Sequence, residues 1–113
     1  AYNVNLATPD VEVAKTIAKK IREKDGGLVG VKALGFMVDG KAQVSMNLVD
    51  YEKTNFDEAY REIEKRSEEL GVSIKNSEIY GMIPLESLVT AVKKTFKAND
   101  FKSDQVLEKK LYE

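Results

Sequence analysis

The chain has 113 residues, 18 basic against 19 acidic side chains and 42% hydrophobic content, with neither cysteine nor histidine. That length supports one core, burying roughly two-thirds of the unfolded surface, and the composition is that of a globular chain, not a disordered or fibrous one. The two absences exclude disulfides, thiolate chemistry and zinc–thiolate sites, and they remove the side chain that most often acts as general base near neutrality.

The near balance of charge leaves no basic footprint for nucleic acid and no polybasic signal for a membrane surface. No run approaches the ~20 apolar residues of a membrane span. These features predict a cytoplasmic protein with neither nucleic acid nor membrane as partner. The chain opens directly on a strand pattern, without a leader or an initiator Met, as expected of a fragment or a processed product.

Tyr2 to Leu6 alternates as a half-buried strand, with Tyr2, Val4 and Leu6 inward and Asn3 and Asn5 outward. Thr8-Pro9-Asp10 then reads as a helix start, with Thr8 as N-cap and Pro9 at the first helical position. Val11, Ala14, Ile17, Ala18 and Ile21 follow at helical spacing, and Asp25-Gly26-Gly27 is the expected stop. Leu28 to Val38 is apolar on both parities, so either Lys32, Leu34, Phe36 and Val38 or the residues between them face outward. Asp39-Gly40 is a tight-hairpin signal that joins this strand to the next.

The segment AQVSMNLVDYEKT begins with strict alternation. Ala42, Val44, Met46 and Leu48 point one way, and the uncharged Gln43, Ser45 and Asn47 point the other. Thr54-Asn55-Phe56-Asp57 resembles a capping box and opens a second helix carrying Phe56, Ala59, Tyr60, Ile63 and Leu70, stopped by Gly71. A fourth strand falls within Val72 to Ile83, and Pro84 begins a third helix with Leu85, Leu88, Val89, Val92 and Phe96 on one face. Ser103 to Tyr112 is expected as a short final helix packed by Val106, Leu107 and Leu111.

The order predicts an α+β chain of ferredoxin-like βαββαβ plan: a four-stranded antiparallel sheet with helices on one face and extra C-terminal helix. The first and third strands lie side by side in its middle. Residues 1–99 are expected to form this domain and 100–113 a C-terminal extension.

Asn3, Asn5, Gln43, Ser45 and Asn47 then share the face away from the helices. Asn is a poor strand former, so repeated Asn at strand centres is compensated by ligand or partner contact. Amides both donate and accept, which suits a flat heterocycle of mixed edges, with Leu34 or Phe36 as an apolar wall. The competing reading is a solvated or inter-domain face. Gly26 to Gly30 follows a helix and precedes a strand, the reverse of a phosphate loop. Lys19, Lys20, Lys24, Lys93 and Lys94 form charge runs that read as solvated helix faces. Glu62, Glu64, Glu68 and Glu69 lack partners at metal spacing, so no metal site is assigned. The loop Asp50 to Thr54 ends the central strand, where function often resides.

The blocks YNVNLATPDVEVAKTIAKKIR, GGLVGVKALGF, AQVSMNLVDYEKT and SEIYGMIPLESL, in that order, and less specifically DQVLEKKL, resemble the C-terminal subdomain of glutamate formiminotransferase, the transferase also found fused to a cyclodeaminase. That resemblance implies two similar α/β subdomains with a folate tunnel between them, and formimino transfer between formiminoglutamate and tetrahydrofolate. It implies tetrahydrofolate as substrate and no metal. As partners it implies the N-terminal subdomain, or its separate subunit, and a homo-oligomer. The family's catalytic histidine lies in the other half, so no catalytic residue carries over and the isolated chain is expected to be inactive. The matching blocks make Asn3, Asn5, Gln43, Ser45 and Asn47 the expected folate-facing residues. Asn55 departs from the family, which commonly has Pro there, and is expected to weaken the helix start slightly. The alternative function is a non-catalytic binding or regulatory module that pairs through its sheet face.

Overall fold

In a computed structural model of the chain, residues 1–111 are described, and two compact units are distinguished, Ala1–Gly81 and Met82–Glu113. The first unit contains strand β1 (Tyr2–Leu6), helix α1 (Val11–Ile21), strands β2 (Val31–Val38) and β3 (Lys41–Leu48), helix α2 (Phe56–Glu69) and strand β4 (Ile74–Ile79). The strands form one four-stranded sheet in the order β2-β3-β1-β4, antiparallel at every pairing. This is the ferredoxin-like arrangement, with β1 and β3 in the centre and α1 and α2 on one face.

The core follows from the alternation of β1 and β3. Tyr2, Val4 and Leu6 are buried, as are Ala42, Val44 and Met46, and they meet Ala14, Ile17, Ala18 and Ile21 of α1 and Ala59 and Ile63 of α2. Each large aliphatic side chain so buried contributes about 1.5–3 kcal/mol. Tyr2 and Phe56 add an edge-to-face pair with ring centroids 5.9 Å apart, and burial raises the Tyr2 hydroxyl pKa. The two open parities of β2 are resolved by Val31 and Ala33, which are buried, while Lys32, Leu34, Phe36 and Val38 are exposed.

Two backbone features fix this geometry. Asp39 and Gly40 both have positive φ, 51° and 77°, as a two-residue hairpin of matching twist requires. Gly35 lets β2 approach α1: a Cβ there would stand 2.5 Å from the Lys15 amide nitrogen and 2.7 Å from the Ala14 carbonyl carbon.

The helix termini differ from the sequence reading. Asp10, not Thr8, is the N-cap of α1: its carboxylate accepts from the Glu12 N–H at 3.0 Å, while Thr8 Oγ1 accepts from the Asp10 N–H at 3.2 Å. Helix α1 closes at Ile21, and a 3-10 turn (Glu23–Asp25) intervenes before the left-handed Gly26. Asn55, not Thr54, caps α2. The fourth strand lies within the expected window. It carries an irregularity between its pairings with Asn5 and Leu6, since Asn5 pairs with Asn76 but Leu6 with Ile74.

The second unit contains helix α3 (Leu85–Phe96), a 3-10 turn (Ser103–Gln105) and helix α4 (Leu107–Leu111). Pro84 is the N-cap of α3, and Lys97, in the left-handed region, ends it. Of the stripe expected on α3, Val89 is buried, but Leu88 and Phe96 are exposed, by 42% and 72%. Leu107 and Leu111 are also exposed, so the final helix does not pack through them. It is tied instead by Lys109, whose Nζ donates to Ser103 Oγ at 3.1 Å and to Asp104 at 2.6 Å. The Tyr112 end of the expected helix lies outside the described residues.

Because Gly35 sits against helix backbone and not a yielding side chain, Gly35→Ala should cost about 1–3 kcal/mol of stability through overpacking. Urea unfolding of the variant beside the wild type would show it as a lowered midpoint with unchanged slope.

Candidate functional site

The sheet register brings all five outward polar residues of the two central strands together. Across the sheet run two rows, Phe36–Gln43–Asn5–Asn76 and Leu34–Ser45–Asn3–Glu78, each read from paired Cα positions, and Lys32 pairs with Asn47 in the next. The five are not equally accessible. Asn47 is exposed, Asn3, Asn5 and Ser45 are half-buried, and Gln43 is buried at 7% exposure although it points away from α1 and α2. Alternation fixed the side on which Gln43 lies, but not its depth.

Their hydrogen bonds separate the five by role. Gln43 Nε2 donates to Asn5 Oδ1 at 2.9 Å, and Asn5 Nδ2 donates to Asn76 Oδ1 and to Glu78 Oε1, both at 2.7 Å. The carboxylate can only accept, so the orientation of the Asn5 amide is set and both its N–H groups are committed. Glu78 also accepts from the Tyr80 hydroxyl. Asn5 is therefore a hub that aligns its neighbours. Asn3 is the contrary case, since its Oδ1 is buried and has no hydrogen-bond partner. Leaving such an acceptor dry costs about 1–3 kcal/mol, and it is the group on this face in need of a donor.

Asn76, Glu78 and Tyr80 were absent from the sequence-derived set. Their only sequence signal was the polar content of a segment whose strand boundaries alternation could not fix. They supply the one carboxylate of the network. Hydrogen bonds from Tyr80 and then Asn5 lower the Glu78 pKa below its ordinary value, and Glu78 raises that of the Tyr80 hydroxyl. Asp57, in the first turn of α2, is a buried carboxylate: one oxygen takes Arg61 at 2.9 Å, and the other has no hydrogen-bond partner. Among the described residues no group of three or more acidic side chains could hold a metal ion, and no helix is long and apolar enough to cross a membrane. Of the glutamates read as solvated, Glu62 and Glu69 pair with Arg66 at 3.1 and 3.5 Å. The chain has no histidine, so a base drawn from it would have to be a retuned Asp, Glu, Lys or Tyr.

A group whose pKa is lowered on folding contributes stability that is present above its unfolded pKa and is lost as pH falls through the folded one. The Glu78 carboxyl carbon, followed by NMR, should therefore titrate with a midpoint below that of an unperturbed glutamate. Tyr80→Phe should move it back up, and an unmoved midpoint would show the phenol to be an idle neighbour.

Comparison with known proteins gives this face its family. The formiminotransferase domain family matches residues 1–110. A glutamate formimidoyltransferase of Thermoplasma acidophilum is 42% identical over 113 residues, covering 98% of this chain and 37% of the relative. One of Streptococcus pyogenes serotype M1 is 36% identical, covering 98% and 38%. A formimidoyltransferase-cyclodeaminase of Dictyostelium discoideum is 37% identical, covering 98% and 22%. The chain thus spans less than two-fifths of the length of these relatives. With a ferredoxin-like sheet, a polar face and a match along nearly its whole length, the chain belongs to the formiminotransferase domain family.

Proposed function

We propose that this chain is the folate-facing half of a glutamate formimidoyltransferase, acting with a second half that carries the catalytic histidine. The observation that carries the reading is the amide network on the sheet, in which Gln43 donates to Asn5 and Asn5 donates to both Asn76 and Glu78, beside the buried, unpartnered Asn3 Oδ1. An acceptor of this kind is satisfied by an N–H or O–H donor of a ligand, and tetrahydrofolate offers N–H groups along its heterocycle. In this reading Asn3, Ser45 and Asn47 contact the ligand, and Gln43 and Asn5 hold the wall in shape. The relatives' names and the chain's partial coverage of them support transfer of a formimino group between formiminoglutamate and tetrahydrofolate in the complete protein. The absence of histidine supports placing the base elsewhere. Metal plays no part in the proposal, and the setting is the cytoplasm.

A second reading is favoured by the row Leu34, Phe36 and Val38, which is 56, 46 and 41% exposed. Apolar side chains beside an amide stripe also suit a protein partner, as in a regulatory module that pairs through this face.

Replacing an orphaned acceptor by an apolar side chain of similar shape removes a desolvation penalty. Asn3→Leu should accordingly keep or raise the melting temperature of the chain, yet weaken tetrahydrofolate binding in the complete two-part enzyme by about tenfold, the worth of one buried hydrogen bond. The isolated chain should show no formimino transfer. Transfer at the rate of the complete enzyme would sink the division of labour. Self-association in solution without affinity for reduced folate would favour the pairing module.

A further inference from the structure

A groove that meets the polar face at Leu34 runs along the free edge of β2, the outermost strand on its side of the sheet. Its volume is about 530 Å³, within the range of small-molecule sites. Because it follows an edge, it is lined by residues of both parities: Val31 and Ala33, which are buried, and Lys32 and Leu34, which face the other way. Val49 completes the apolar part, and Arg22, Glu23 and Lys24 approach from the turn after α1.

The polar groups of this lining are not equivalent. Arg22 is spent on a salt bridge with Asp25. Glu23 Oε2 accepts the Gly30 N–H at 2.5 Å, which straps the turn to the start of β2. The Gly30 carbonyl accepts in turn from the Val49 N–H at 2.8 Å, so three walls of the groove are bonded to one another. Lys24 and Lys32 make no ion pair among the described residues. With Arg22 paired to Asp25 and Glu23 bonded to the Gly30 N–H, the ammonium groups of Lys24 and Lys32 are left beside an apolar floor, with Asp50 against Gly30 at one end. A phosphate or a free amino acid would waste the floor, and an uncharged apolar ligand would waste the ammonium groups.

We propose that the β2-edge groove is a binding site for an organic monocarboxylate with an apolar body, its carboxylate held by Lys24 and Lys32 and its body laid on the exposed Leu34 and Val49. The site uses only residues of the first compact unit; it shares Leu34 with the apolar wall of the sheet face, but its carboxylate contacts, Lys24 and Lys32, are no part of the folate reading, so either can fail without the other.

The test is titration of the 15N-labelled 113-residue chain with 3-phenylpropionate, read from the backbone amides of Gly30, Val31 and Val49. Propionate isolates the charge, 3-phenylpropionamide isolates the apolar body, and inorganic phosphate stands for a bare anion. Saturable shifts are expected with 3-phenylpropionate, and affinities lower by about tenfold with each of the other three, as loss of a charge-assisted bond or a buried ring predicts. The double variant Lys24→Gln with Lys32→Gln should reduce 3-phenylpropionate to the affinity of its amide, and Leu34→Ser should weaken 3-phenylpropionate while leaving propionate unchanged. All three side chains are exposed, and an unchanged amide spectrum outside the groove confirms the fold. No saturable shift, equal binding of acid and amide, or unchanged affinity in the double variant overturns the assignment.

Discussion

Everything in the first unit is referred to β1, one of the two central strands that are hydrogen-bonded on both sides. Its five residues alternate between buried and half-buried, and each pairing passes that alternation to a neighbour. Opposite Val4 stands Val44, opposite Asn5 stands Gln43, and from β3 the pattern reaches β2, where Gly35 faces Val44 and Phe36 faces Gln43. The separation of an apolar face for α1 and α2 from a polar face beyond them is thus one decision made in five residues and copied outward by register. A slip of one position at β1 would send Val4 and Leu6 out and the asparagines into the core.

The polar face differs in kind from a solvated one. Solvated sheet residues point into water and make few mutual contacts, whereas here the amides bond to one another along a row perpendicular to the strands. That row spends the flexibility of Gln43 and Asn5 beforehand, so the ligand of the proposed function would meet a surface already ordered at Asn3 and Asn47. Rigidity of this sort serves recognition. Under the proposed function, proton transfer falls to the second half, and the chain spans less than two-fifths of the length of its relatives.

Much of this was legible in the residues. Alternation identified β1 and β3 and the side on which each residue lies, Asp39-Gly40 marked the hairpin, and helical spacing marked α1 and α2. The five polar positions were placed on one face correctly because parity is a local property. What failed depended on neighbours. Thr8 and Asp10 are both competent caps, and the choice between them rests on where the chain leaves β1, which no window of sequence contains. Both parities of β2 are apolar, so its direction waited on α1 meeting Val31 and Ala33. The burial of Gln43, the empty acceptor of Asn3 and the arrival of Asn76 and Glu78 all depend on strands remote in sequence. Spacing puts the apolar residues of α3 on one face, yet Leu88 and Phe96 are exposed, since spacing reports what a helix could bury and not what lies opposite.

The irregularity between Asn5 and Leu6 explains why β4 resisted reading. Ile74 stands opposite Leu6, which is buried, and Asn76 stands opposite Asn5 on the other face, although residues two apart in a regular strand share a face. One residue, Lys75, absorbs the difference, as in a β-bulge. The strand therefore turns over just after its first residue, so Ile74 faces the core by a different parity from the residues that follow Lys75. Its length is then constrained more tightly than its residue identities. Substitutions between Ile74 and Tyr80 alter single contacts, but losing or gaining one residue there exchanges the inner and outer side chains of everything on one side of it. Across sequences that share this face, the count of residues in that segment should vary less than the residues themselves.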